Sequence, residues 1–292
     1  MIVKSIDKKE ILSWALHILA QSPTAEIIIE EALERGWRLG LEELNGPDFQ
    51  IDTSEFLIIL DNQGFTEKSL AGSLYFRNAM LMSLIRALRD VWQESRYGDS
   101  AQDHPPESML ALERVRAADL DVLTILIAWE LRCEGEPELW RYMLACDHSD
   151  MAMRFSGYLE RDPAANFTRE ALAAAFTQWF MNQKRVDACD HETLNMMDDL
   201  VEECEDENPF GRERLETIDI ERLSCLPDRS AYLQGKGRTI LSDPLYAGMD
   251  DEINQAHLMH IIYDLQVTYA GNVPFQNAAL AERIFPQDMA EH

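Results

Sequence analysis

The chain is poor in positive charge. Its 292 residues carry 26 Lys and Arg against 53 Asp and Glu, a formal net charge of -27. Nucleic acid and anionic lipid both require cationic side chains to neutralise phosphate, so neither nucleic acid nor membrane is an expected partner. Cysteine is scarce too. The five present, Cys133, Cys146, Cys189, Cys204 and Cys225, are odd in number and include no Cys-x-x-Cys pair. That excludes a zinc ribbon and a complete disulfide framework, and the thiols are expected to be reduced and buried in a cytoplasmic protein. No segment approaches the roughly 18 consecutive apolar residues of a membrane span. Ile11 to Ala20, behind Lys4, Lys8 and Lys9, has the outline of a signal peptide. Asp7 and Glu10 interrupt its basic part and His17 its apolar part, so an amphipathic first helix is expected instead. The chain has no Gly-x-Ser-x-Gly elbow, no phosphate-loop spacing and no Glu-x-x-His, and its Ser, Cys and His residues show no local signature of a triad.

What is present reads as a globular, mainly helical α+β protein: 46% of the residues are hydrophobic, and the length allows a sizeable core in one or two domains. Ser22-Pro23 is an N-cap followed by a first-turn proline, opening a helix that stops near Gly36. A change of period follows. Trp37, Leu39 and Leu41 alternate with polar or small residues, Asn45-Gly46-Pro47-Asp48 is turn chemistry, Phe49 and Ile51 alternate again, and Phe56 to Leu60 is a third, more buried run. These strands are expected to form a small, mainly antiparallel sheet. From Thr66 the pattern turns helical, with a long helix or helix pair over 69–95 and another over 107–133, apolar nearly all round from Val122 to Trp129 and therefore buried. Further helices are expected at 137–159, 168–185, 191–204 and 251–270. Ten acidic residues and no Lys or Arg lie between Val186 and Phe210. This composition shift suggests a first domain over 1–160 and a helical region over 161–292 that contains the acidic segment 187–207.

The informative stretch is Ser83 to Gln93. A zinc peptidase helix needs two His at i and i+4, so that both rings meet one metal, and a Glu beside the first as general base. Here those positions hold Arg86, Asp90 and Ala87, within the frame Leu84-Ile85-Arg86-Ala87-Leu88-Arg89-Asp90-Val91-Trp92-Gln93. That frame resembles the active-site helix of a bacterial family of putative metallopeptidases, the DUF6782 type, whose helix runs Leu-x-His-Glu-Leu-Arg-His-x-Trp-Gln. Arg114 to Asp121 resembles the downstream Arg-x-x-Glu-Ala-Asp-Ala helix that supplies the acidic ligand. In that register the Glu falls on Ala117, Asp119 coincides with the Asp, and a shifted register recruits Asp121. The resemblance implies a zincin-like unit of helix, small antiparallel sheet, long helix and buried helix, and an ancestral zinc site. With both imidazoles missing, a lone carboxylate does not assemble the three protein ligands of a catalytic zinc.

Two readings of the degenerate helix compete. One is an ordinary surface with an intrahelical Arg86 to Asp90 pair, worth a few tenths of a kcal/mol. The other has Arg86 or Arg89 pairing with Asp119 or Asp121, a guanidinium clamping two helices that a metal would otherwise join. The leading functional reading is a metallopeptidase-like protein without catalysis and without a cofactor, binding a peptide or protein partner along a sheet edge. A second is a metal-dependent hydrolase with a relocated site at His257, His260 and Asp264, at i, i+3 and i+7 on one helix face, holding a divalent metal such as zinc with Asp250 or Glu252 nearby. A third is an interaction protein whose acidic segment docks a basic partner. Asp187 and His191 near Cys189 are a weaker metal candidate. Gly235-Lys236-Gly237-Arg238-Thr239 reads as a solvated turn.

Overall fold

A computed structural model describes residues 7–97, 103–162, 164, 169–204, 208–266, 268–270, 273–275 and 283. Lys4 and residues 205–207 of the acidic segment lie outside the described residues.

Two short helices lead, α1 (Lys8–Leu19) and α2 (Pro23–Glu34). Ser22 caps α2 by accepting from the Ala25 N–H at 3.1 Å, as its sequence promised. At the other end the Trp37 N–H reaches back to the Ala32 carbonyl at 3.1 Å, a closure that needs the left-handed conformation of Gly36 at φ 88°. Three strands follow: β1 (Arg38–Glu42), β2 (Phe49–Asp52) and β3 (Leu57–Asp61).

The sheet is mixed rather than antiparallel. Its order is β1-β3-β2, with β1 parallel to β3 and β2 antiparallel to β3. The chain runs up, down and up, so a meander with β2 in the middle would be antiparallel throughout. Instead the most apolar strand, with Ile58 and Leu60 both fully buried, takes the centre. The less buried β2 becomes an edge.

Helix α3 (Glu67–Gly72) is followed by α4 (Leu74–Tyr97), which carries Arg86, Ala87 and Asp90. Next is α5 (Pro106–Cys133), buried on nearly every side along its centre, as its all-round apolar sequence requires. The helix expected over 137–159 is two, α6 (Glu138–Ala145) and α7 (Ser149–Arg161), separated by Cys146, Asp147 and His148. Helices α8 (Glu170–Phe180), α9 (Gln183–Glu203), α10 (Thr217–Leu223), α11 (Gly237–Ser242), α12 (Pro244–Ala247) and α13 (Glu252–Gln266) follow. The last is shorter than expected, ending before a two-stranded hairpin of β4 (Thr268–Ala270) and β5 (Val273–Phe275). The protein is thus α+β and mainly helical. Among the described residues no helix is long and apolar enough to cross a membrane.

One core joins residues from Ile11 to Ile240, so side chains on both sides of residue 160 share it. A smaller cluster of Met109, Leu110, Leu194, Met197, Phe210 and Ile261 binds α9 and α13 to the start of α5.

Candidate functional site

The face between α4 and α5 holds two layers of buried charge. In the deeper layer Arg89 and Asp119 are both fully buried, and Arg89 Nε donates to Asp119 Oδ2 at 2.7 Å. Gln93 Nε2 donates to the same oxygen at 2.6 Å, and the Tyr232 hydroxyl donates to Oδ1 at 2.7 Å. The second Arg89 nitrogen, Nη2, donates to the carbonyls of Leu223 at 3.0 Å and Cys225 at 2.8 Å, while the guanidinium lies over the Trp92 ring. Burial and the Asp119 charge raise the Tyr232 phenol well above its ordinary range, so it remains a donor. Arg89, Trp92 and Gln93 are frame positions of the motif, and their work here is to seat Asp119.

The upper layer contains the substituted positions. Arg86 Nε lies 3.3 Å from Asp121 Oδ1, and His148 Nε2 approaches the same oxygen at 3.2 Å. Trp179 Nε1 donates to the other oxygen at 3.0 Å. Asp121 Oδ1 and Arg86 Nε are buried without an aligned hydrogen bond, so these two cations hold the carboxylate by charge more than by direction. Burial pushes the Asp121 carboxyl upward, but Arg86, His148 and Trp179 together outweigh it and hold the group well below the usual range. For His148 burial again opposes, and the Asp121 charge prevails, raising the imidazole to about 10.

The structure therefore contains both helix clamps, Arg89 to Asp119 and Arg86 to Asp121. The intrahelical Arg86 to Asp90 pair is absent. Asp90 instead accepts from Arg116 Nη2 at 2.6 Å, because α5 brings a closer guanidinium, itself also 3.3 Å from Glu113. Ala87 is completely buried. Ala117 packs partly buried against the core. The residues present do not fit the zinc that the resemblance implies. Of the four positions only Asp90 offers a donor, and Arg116 holds it.

At the relocated candidate, His257 Nε2 meets Asp198 Oδ2 at 2.5 Å, whereas His260 is largely exposed with Asp264 at 3.4 Å. Among the described residues no three His, Cys, Asp or Glu side chains lie together as a metal would require.

A cavity of about 280 Å³ opens over the upper layer, lined by Arg86, Tyr142, Cys146 and His148, by Asp48 just ahead of the edge strand β2, and by Tyr75 and Phe76 of α4. Arg86 is also 3.8 Å from Asp48. A larger cavity of about 860 Å³ borders Gln93 and Arg116 but reaches none of Arg86, Asp121 and His148. The sequence reading missed His148, Cys146, Tyr232 and Trp179 as site residues. A signal existed for the first: Asp147-His148-Ser149-Asp150 is helix-start chemistry inside what was read as one helix.

Compared with known families, residues 70–233 match the one described as a putative metallopeptidase family, DUF6782, and this covers more than half of the 292 residues. No curated protein and no solved structure matches the chain.

Proposed function

The chain belongs to the DUF6782 family of putative metallopeptidases, and we propose that within it this protein has given up zinc-dependent hydrolysis and serves as a peptide- or protein-binding module. The observation that carries the reading is the contact of Arg86 with Asp121 at 3.3 Å. A guanidinium from the first ligand position of the helix supplies there the positive charge that a metal would supply, and does so without a Lewis acid or an activated water. Binding needs neither. Strand β2 pairs only with β3 in its sheet, and the residue before it, Asp48, lines the cavity that Arg86 borders. An extended segment added along this edge would gain backbone hydrogen bonds and set a side chain toward the cavity.

Zinc analysis of tag-free protein and incubation with a mixed peptide library test this. The expected result is zinc far below one per chain, no chelator-sensitive cleavage, and retained peptides that Arg86→Glu fails to hold. Stoichiometric zinc with chelator-sensitive cleavage would overturn it.

A further inference from the structure

We propose that Cys146, His148 and Asp121 form a thiol nucleophile site that accepts acyl groups from small esters or thioesters. The inference goes beyond peptide binding and does not depend on it, because it concerns the cavity's own chemistry and a ligand small enough to need no sheet edge.

Three side chains stand in line. Cys146 Sγ is 3.7 Å from His148 Nδ1, and the far side of the same ring, Nε2, is 3.2 Å from Asp121 Oδ1. Asp121 is fixed from behind by Trp179 and is buried. The line is nucleophile, proton carrier and orienting carboxylate, recognised by geometry and role rather than by order in the chain. It exists because the helix expected over 137–159 breaks. Cys146 is extended at φ -111°, and His148 sits at the start of α7, which turns both side chains toward the same space. That space is the cavity of about 280 Å³ that Cys146 and His148 both line.

The surroundings suit the reaction. A ring held between a carboxylate and a sulfur keeps one proton on the carboxylate side and shares a second, mobile one with the sulfur. The same sulfur lies 3.5 Å from the Met143 carbonyl, which accepts that proton while it sits on the sulfur. Arg86 borders the cavity as a further cation, placed to stabilise an oxyanion. Tyr75, Phe76 and Met80 supply apolar wall beside the polar Asp48, Asp61 and Gln63, and the volume suits a short acyl chain.

The balance closes without any further reagent. With the shared proton on His148 Nδ1, the Cys146 sulfur forms a bond to the acyl carbon, and the bond to the leaving group breaks. The leaving alcohol or thiol takes its proton from His148 Nδ1. Water then attacks the thioester and gives a proton to His148, the carbon–sulfur bond breaks, and a carboxylic acid leaves with the thiolate restored. Asp121 touches no reacting atom. It positions the ring.

The exposed Cys133 and Cys204 are internal controls within the same molecule. Native protein is treated with limiting iodoacetamide, and separately with p-nitrophenyl butyrate, and modified cysteines are identified by peptide mass mapping. Cys146 should be alkylated about ten-fold or more faster than either control despite its lesser exposure, and should alone carry butyryl. His148→Gln should slow both reactions of Cys146 about ten-fold or more while leaving Cys133 and Cys204 unchanged. Asp121→Asn should slow release of the acid from the acyl form, with the same two controls unchanged. Cys146→Ser should remove acylation. Cys146 reacting no faster than the exposed thiols, alkylation without butyryl transfer, or full reactivity in His148→Gln would each overturn the proposal.

Discussion

Replacing Arg89 with Ala should cost more stability than any other single change on the α4–α5 face. Arg89 and Asp119 are both fully buried, and the pair meets at 2.7 Å. Removing the guanidinium leaves a charged carboxylate with Gln93 and Tyr232 as its only donors. It also strips a charged donor from the carbonyls of Leu223 and Cys225. Breaking a buried pair by deleting one partner costs about 3–5 kcal/mol, a large share of the roughly 5–15 kcal/mol by which a domain is folded. Arg86 is a useful contrast. Its side chain is 27% exposed, its contact with Asp121 is not aligned as a hydrogen bond, and Asp121 keeps Trp179 and His148 when Arg86 is gone. Arg86→Ala should therefore cost about 1–2 kcal/mol, between an exposed and a buried pair. Urea unfolding at constant slope reads both, and a double-mutant cycle of Arg89 with Asp119 should show coupling of about 1 kcal/mol or more. A loss below about 1 kcal/mol for Arg89→Ala, or a larger loss for Arg86→Ala, would refute the reasoning.

Three further outcomes are expected. Protonated His148, raised to about 10 from an ordinary 6.5 by a carboxylate charge that overcomes burial, contributes stability that is whole below about pH 6.5 and is lost as the pH climbs toward 10. His148→Gln should flatten that alkaline decline in unfolding experiments, and an unchanged slope would count against the pairing. Glu130 accepts from the Ser22 hydroxyl at 2.5 Å and from the Thr24 amide and hydroxyl at 3.1 and 2.8 Å, tying the start of α2 to α5. Glu130→Ala should cost about 1–3 kcal/mol, measurable by thermal or urea unfolding, because these donors lose a charged acceptor. A Cβ on Gly237 would stand 2.3 Å from the Thr217 carbonyl oxygen. Gly237→Ala should thus lower the melting temperature clearly through overpacking of about 1–3 kcal/mol, whereas Gly157→Ala, with open space around it, should not.

The helices and strands were legible because period and punctuation are local. Ser22-Pro23, Gly36 and the apolar centre of α5 each announce an element within a few residues. Sheet order was not legible, since it depends on which strand wins the centre, a competition settled by packing between β3 and its neighbours. At the site, Arg86 and Asp121 could be named because each violates its surroundings, a cation where a ligand belongs and an acid in an apolar run. Tyr232 and His148 could not. Tyr232 lies 113 residues from the carboxylate it binds, and nothing in its own neighbourhood signals that partner. His148 needed a helix break that the periodic reading smoothed over.

Two buried arginines also bear on how the two ends of the chain depend on each other. Arg89 of α4 holds the carbonyls of Leu223 and Cys225, and Arg114 of α5 holds those of Tyr246 and Gly248 along with the Asp190 carboxylate. Both thus have carbonyl partners made more than a hundred residues later, and the Asp190 carboxylate follows Arg114 by 76. A first half without those groups would hold guanidinium groups short of partners, which are costly to bury. A fragment ending near residue 160 would leave Arg114 without Asp190 and Asp119 without Tyr232. The buried charges of α4 and α5 make the N-terminal half dependent on the chain's far end.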